Sequence, residues 1–311
     1  MTDTVVATSK LTKRFGRVTA VENLDLHVHE GDLYGFLGPN GSGKTTTLRM
    51  LLGLVFATSG EIEVLGRPMP ARAQDILTEV GTLVEGPAFY PHLSGRANLS
   101  LFDAAGPNGE RRTRRGRIAE SLERVGLGDV GRRPYKAYSS GMKQRLGLAA
   151  ALIRPHPLLV LDEPTNGLDP HGMREIRELL VELVDGGTTV LLSSHLLSEI
   201  EMICNRAAIV YRGRLMAQDD VTKLLAPTGA FSIETPDVSD AMQVLSDVRG
   251  ARVLEHERAV LRTHLDGVPP DEVNRALVER GVRVFAFTPE RRSLEDVFLE
   301  LTRAEGSDVR S

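Results

Sequence analysis

Residues 32–54 read DLYGFLGPNGSGKTTTLRMLLGL, and the eight residues Gly38–Thr45 within them, GPNGSGKT, decide the fold. Asp32–Leu37 is a short, largely apolar run of strand character, and Thr45–Leu54 carries apolar residues at helical spacing. The turn between them holds Gly38, Gly41 and Gly43 and ends in Lys44–Thr45, fitting G-x-x-x-x-G-K-[S/T]. Glycines let successive backbone N–H groups turn inward on phosphate oxygens. The helix that follows presents its N-terminus, whose dipole favours the same anion. Lys44 adds a point charge for β- and γ-phosphates, and Thr45 a hydroxyl for Mg²⁺. A chance glycine turn would lack both the strand before it and the helix after it.

Leu158–Pro164 (LLVLDEP) is an apolar strand ending in two adjacent acids. Strand alternation is expected to point Asp162 and Glu163 in different directions, so that they can do different work. Asp162 suits a Mg²⁺ contact, direct or through water. Glu163 suits a general base for an attacking water, a role that contributes roughly 10²–10⁴-fold in rate. The two motifs lie 117 residues apart, so a folded insertion is expected between them. It holds Tyr138–Arg145 (YSSGMKQR), where serine and glycine precede a helix. By itself this reads as an ordinary N-cap.

The rest of the chain gives the frame. Helices are expected over Arg111–Arg124, Ser140–Arg154, Arg174–Val184 and Leu196–Cys204, and buried strands over Leu158–Leu161, Thr188–Ser193 and Ala207–Tyr211. Alternating strands and helices imply α/β architecture with a parallel sheet. After Leu225 the texture changes at a Pro227–Thr228–Gly229 turn, and the following elements read βαββαβ. We therefore expect a main domain over 1–225, with a helical subdomain at about 86–157, and a small α+β domain over 226–311.

Taken in order, these motifs resemble the ATP-binding subunits of ATP-binding-cassette (ABC) transporters over about residues 5–225. Gly38–Thr45 looks like Walker A, Leu158–Glu163 like Walker B, and Tyr138–Gln144 is similar to the LSGGQ signature. Asn166–Pro170 (NGLDP) resembles the D-loop, His195 the switch histidine, and Phe15 in KRFG the aromatic that stacks on adenine. The resemblance implies a P-loop NTPase (RecA-like) parallel sheet with an inserted helical subdomain. It implies ATP held by Phe15, Gly38, Pro39, Asn40, Gly41, Ser42, Gly43, Lys44, Thr45 and Thr46, with Ser139 and Gly141 arriving from a second subunit. It implies Mg²⁺ on Thr45, Asp162 and Glu85, and catalysis by Glu163, His195 and Lys44. Glu85 stands where the family usually carries glutamine, and a carboxylate there can bind Mg²⁺ but not donate a hydrogen bond unless protonated. The setting of Glu85 and the ending Ser293–Leu301 (SLEDVFLEL) look like the bacitracin- and daunorubicin-resistance exporter branch.

Composition sets limits. The net charge of −4 gives no hint of a nucleic-acid surface. No stretch nears the roughly 20 apolar residues of a membrane span, so a separate polytopic permease is expected to do the spanning. The single cysteine, Cys204, excludes an internal disulfide and fits a reducing compartment. The expected setting is thus the cytoplasmic face of the plasma membrane, as a pair of ATP-binding subunits, a homodimer needing no helper site and a heterodimer staying open. Two other classes fit the sequence less well. Translation or repair ATPases would need fused cassettes or long coiled coils, and an inactive ATP sensor is opposed by Lys44, Asp162, Glu163 and His195. Arg111–Arg117 (RRTRRGR) reads as a solvated loop and helix face, His27 and His29 as exposed strand residues, and Cys204 as a buried structural thiol.

Overall fold

The computed structural model describes residues 3–84, 89–106, 111–226, 229–290 and 292–308. Its centre is a six-stranded sheet ordered Arg214–Asp220, Arg206–Tyr211, Leu33–Leu37, Thr189–Ser194, Leu158–Asp162, Val80–Leu83. The last five strands are mutually parallel, and only Arg214–Asp220 runs antiparallel to its neighbour. Leu33–Leu37 is buried along its whole length, as a central strand covered on both faces must be. In such sheets ligands gather outside the carboxyl ends of the strands. The register puts Leu37 beside Ser194 and Asp162 beside Ser193, so the glycine turn, the two acids and His195 all leave from one sheet edge.

An antiparallel sheet of five strands leans on this one, with Thr4–Phe15 at its heart between Val18–Leu24 and Ser59–Val64. One hydrophobic core runs between the two sheets, from Val6, Leu11 and Val28 to Tyr34, Phe36 and Leu48. Tyr34 is buried, yet its hydroxyl donates to Gln218 Oε1 at 2.6 Å, and burial pushes its pKa well up.

The later part of the segment between the two motifs carries the helices Gly95–Ala105, Arg114–Arg124 and Ser140–Ala151. The expected Ser140–Arg154 helix stops at Ala151, three residues short, ahead of Pro155. The helix expected over Arg174–Val184 runs Pro170–Asp185, because Asp169 caps it through Gly172 N and Pro170 opens it. The Arg111–Arg117 run is not simply a solvated face. Arg114 and Arg117 pair at 2.8 and 2.7 Å with Asp103, whose side chain is fully buried, and Arg154 approaches it at 3.4 Å.

Residue contacts group the chain up to Val221 into one unit, with the segment from Leu301 counted to it, and Thr222–Glu300 into another. The second unit holds a four-stranded antiparallel sheet ordered Ala251–Glu257, Val260–Leu265, Ala230–Glu234, Ala286–Pro289. Helices Val238–Asp247 and Pro270–Glu279 supply its own core with Ile233, Leu245, Leu261, Val273 and Leu277. The last strand of this sheet starts only at Ala286, and just before it the backbone N–H and guanidinium of Arg283 turn to Asp237.

Candidate active site

The glycine turn is shaped by backbone geometry that side chains would not permit. Gly41 and Gly43 have φ of 80° and 101°. A Cβ on Gly43 would sit 2.5 Å from the carbonyl oxygen of Ala20. The helix Lys44–Leu51 follows directly, with its first N–H groups facing the turn. Pro39, Asn40 and Gly41 form the exposed crest, while Thr45 and Thr46 are half-buried. Ser42 Oγ is buried and has no hydrogen-bond partner among the described residues. A hydroxyl left so costs about 1–3 kcal/mol, which a phosphate oxygen would relieve.

Lys44 is only 5% exposed. Its ammonium donates to the carbonyls of Gly38 and Pro39 at 2.7 and 3.3 Å and lies 4.0 Å from Glu163 Oε1. Burial lowers its pKa below the ordinary lysine value, and the charges of Glu163 and Asp162 oppose that shift. The cation is therefore aimed across the turn rather than into solvent.

Asp162 ends its strand with both carboxylate oxygens occupied. Oδ2 accepts from Thr45 Oγ1 at 2.8 Å, and Oδ1 accepts from Ser193 Oγ. Glu163 does not continue the strand, contrary to the expected alternation. It adopts φ of +47°, a left-handed conformation that costs a non-glycine residue roughly 1–3 kcal/mol. Its amide donates to Ser193 O and Oγ, and its carbonyl accepts from Gln144 Nε2 at 2.9 Å and from Asn166 N at 3.1 Å. This turn, rather than strand alternation, separates the two carboxylates. His195, 37% exposed, brings Nδ1 to 3.0 Å from Glu163 Oε2.

The structure thus brings Lys44, Thr45, Asp162, Glu163 and His195 together. Ser139 and Gly141 make their contacts elsewhere. Ser139 caps its helix through Met142 N, and Gly141 packs on Leu168 and Gly167 of the Asn166–Pro170 loop. Phe15 closes its strand half-exposed, with Lys13 Nζ 4.7 Å from its ring centre. Glu85 lies outside the described residues. Sequence reasoning passed over Ser193 and Gln144 as members of the site. The only signal for Ser193 was its place beside Asp162 on the neighbouring strand.

The described residues contain no cluster of three or more His, Cys, Asp or Glu side chains suited to a metal. Among the described residues, Thr45 and Asp162 are joined beside the turn by a hydrogen bond and offer oxygen donors there. That sparse set fits Mg²⁺, which is usually held by one or two carboxylates plus phosphates and water.

Comparison with known proteins decides the family. The model for ABC transporter matches residues 21–166. Over 303 residues the chain is 38% identical to the bacitracin transport ATP-binding protein BcrA of Bacillus licheniformis, covering 96% of this chain and 97% of that one. The chain belongs to the ATP-binding proteins of ABC transporters. A daunorubicin resistance ATP-binding protein, DrrA3 of Streptomyces coeruleorubidus, is 38% identical over 308 residues, or 97% of each chain. A dimeric ATP-binding cassette, solved in a post-hydrolysis state with ADP and Pi, superposes with a TM-score of 0.65 at 25% identity, over 70% of this chain and 98% of that one. As an ABC ATPase, this chain binds ATP and hydrolyses it to ADP and phosphate. No helix among the described residues is long and apolar enough to cross a membrane.

Proposed function

We propose that the convergence of Lys44, Thr45, Asp162, Glu163 and His195 is the hydrolytic centre of a subunit that powers export of a drug, antibiotic or lipid. The observation that carries this reading is the position of Glu163, 4.0 Å from the Lys44 ammonium and 3.0 Å from His195. The amides of the glycine turn, the orphaned Ser42 hydroxyl and Lys44 hold the β- and γ-phosphates, and Phe15 stacks on the base. Thr45 and Asp162 would hold Mg²⁺, a role the family resemblance extends to Glu85, and the ion would supply positive charge against the phosphates. Glu163 takes the proton of the attacking water as its oxygen joins the γ-phosphorus. The bond from that phosphorus to the β-bridging oxygen breaks, and ADP leaves. His195 steadies the Glu163 carboxylate and reaches the same γ-phosphate.

Two copies act head to tail in this reading, with Ser139 and Gly141 of each completing the partner's site. Closure on ATP and opening after hydrolysis drive a separate polytopic permease at the cytoplasmic face of the membrane. Such γ-phosphate-held interfaces are ordinary switch physics. The names of the bacitracin and daunorubicin relatives support an antibiotic or drug as cargo. The small unit Thr222–Glu300 is read as an accessory domain of the same subunit.

The test is to tag the chain in its host, solubilise membranes in mild detergent and identify what co-purifies. A polytopic membrane protein in near-equal amount supports the reading. A chain that stays soluble, bound to ribosomes, DNA or nothing, overturns the transport assignment and leaves the ATPase intact.

A further inference from the structure

Strand Thr189–Ser194 ends beside the two acids, and its last two residues are both serine. They face opposite ways. Ser194 Oγ accepts from Leu196 N at 2.9 Å and reaches the buried Glu199 at 3.4 Å. Ser193, with no exposed surface at all, turns to the Asp162 side.

The proton bookkeeping at Ser193 is forced. An ionised carboxylate only accepts, so Ser193 and Thr45 must both donate to Asp162, one to each oxygen. The hydroxyl oxygen of Ser193 is then free to accept, and the Glu163 amide donates to it at 3.1 Å. The Ser193 carbonyl shares that amide at 3.2 Å. One hydroxyl therefore fixes the plane of Asp162 and anchors the left-handed turn that aims Glu163.

We propose that Ser193 is a positioning residue of the hydrolytic reaction, coupling the orientation of the metal-binding carboxylate to the placement of the base. This rests on the roles given above to Asp162 and Glu163. Residues that orient metal ligands typically change metal affinity or activity 10–100-fold when removed. Because Ser193 touches neither the glycine turn nor Phe15 in the contacts above, its loss acts on the cation and the base rather than on nucleotide capture.

The experiment measures steady-state hydrolysis and, separately, binding of a fluorescent ATP analogue as Mg²⁺ is titrated, in the full chain. Ser193→Ala should lower kcat about tenfold or more, with KM for ATP within about twofold of the parent. The Mg²⁺ half-saturation of nucleotide binding should rise about tenfold, while Mg²⁺-free nucleotide affinity stays as in the parent. Ser193→Thr, which restores the hydroxyl, should recover most of both. If the alanine variant does not fold, Ser193→Cys offers a similar volume with a weak donor and should shift both quantities the same way. Parent kcat and parent Mg²⁺ half-saturation in a folded Ser193→Ala or Ser193→Cys chain overturn the proposal. So does an equal loss of nucleotide affinity with and without Mg²⁺, which would mark a structural fault. Asp162→Asn run in parallel separates the two claims. If Asp162→Asn loses Mg²⁺ dependence and Ser193→Ala does not, the Ser193 claim alone falls. If Asp162→Asn keeps the parent Mg²⁺ response, the metal assignment falls and takes Ser193 with it.

Discussion

Lys44 is a cation in a nearly sealed position, and the balance around it explains what it can do. Two carbonyls and two nearby carboxylates face the ammonium, and the carboxylate charges oppose the lowering that burial imposes on its pKa. Lys44→Ala should weaken ATP binding by about 1.5–3 kcal/mol, the worth of a charged hydrogen bond. Equilibrium titration checks this, and unchanged affinity would sink the phosphate-loop reading. Gly43→Ala should be worse than its size suggests, because its Cβ would strike a backbone oxygen at 2.5 Å with φ at 101°. We expect lost ATP binding together with lowered thermal stability, measured in the same protein preparation. These residues were legible because their roles are local: eight consecutive positions carry the whole pattern. Glu163 was legible as a residue but not as a conformation, since nothing in LLVLDEP announces the left-handed turn. Ser193 was invisible for a different reason. Its partner lies 31 positions away, and only strand register joins them.

At the scale of elements, the helical segment is tied by a buried charge. Burial alone would raise the Asp103 pKa, but hydrogen bonds from Arg117 and Arg114, with Arg154 nearby, hold it below the ordinary carboxylate value. A depressed folded pKa contributes stability that is present above the unfolded value near 4 and is lost as pH falls through the folded one. Denaturant midpoints should therefore fall as pH drops below about 4, and Asp103→Asn should remove that part of the pH dependence. At neutral pH the same variant leaves the guanidinium groups without their counter-charge and should cost roughly 3 kcal/mol. A midpoint matching the parent at pH 7 would show the cluster to be solvated. The helix expected over Arg111–Arg124 is present from Arg114, but periodicity does not reveal Asp103, because the helix Gly95–Ala105 that carries it is not among those expected. The strand Arg214–Asp220 escaped as well, since charged and polar residues at a sheet edge lack the apolar run that betrays central strands. The central parallel strands were readable for the converse reason: burial on both faces leaves continuous apolar runs.

For the whole molecule, a core of its own in the Thr222–Glu300 unit implies a separable response. Leu261 is fully buried in the core of the Thr222–Glu300 unit. Leu261→Ala should destabilise that unit by about 2–5 kcal/mol. ATP affinity should stay at the parent value, and a fall in affinity would show that the units share their stability. The βαββαβ order was legible because each helix and strand is short, amphipathic and set off by turns. Periodicity and spacing do not give the meeting of Lys44, Asp162, Glu163 and His195 at one sheet edge, which the family resemblance implies and strand order produces. Glu163→Gln, assayed for turnover and for sedimentation mass with and without Mg²⁺ and ATP, tests that meeting. It should keep ATP binding, lose turnover by roughly 10²-fold or more, and form a dimer only when ATP is present. Hydrolysis at the parent rate by a folded Glu163→Gln chain would show that Glu163 is not the base.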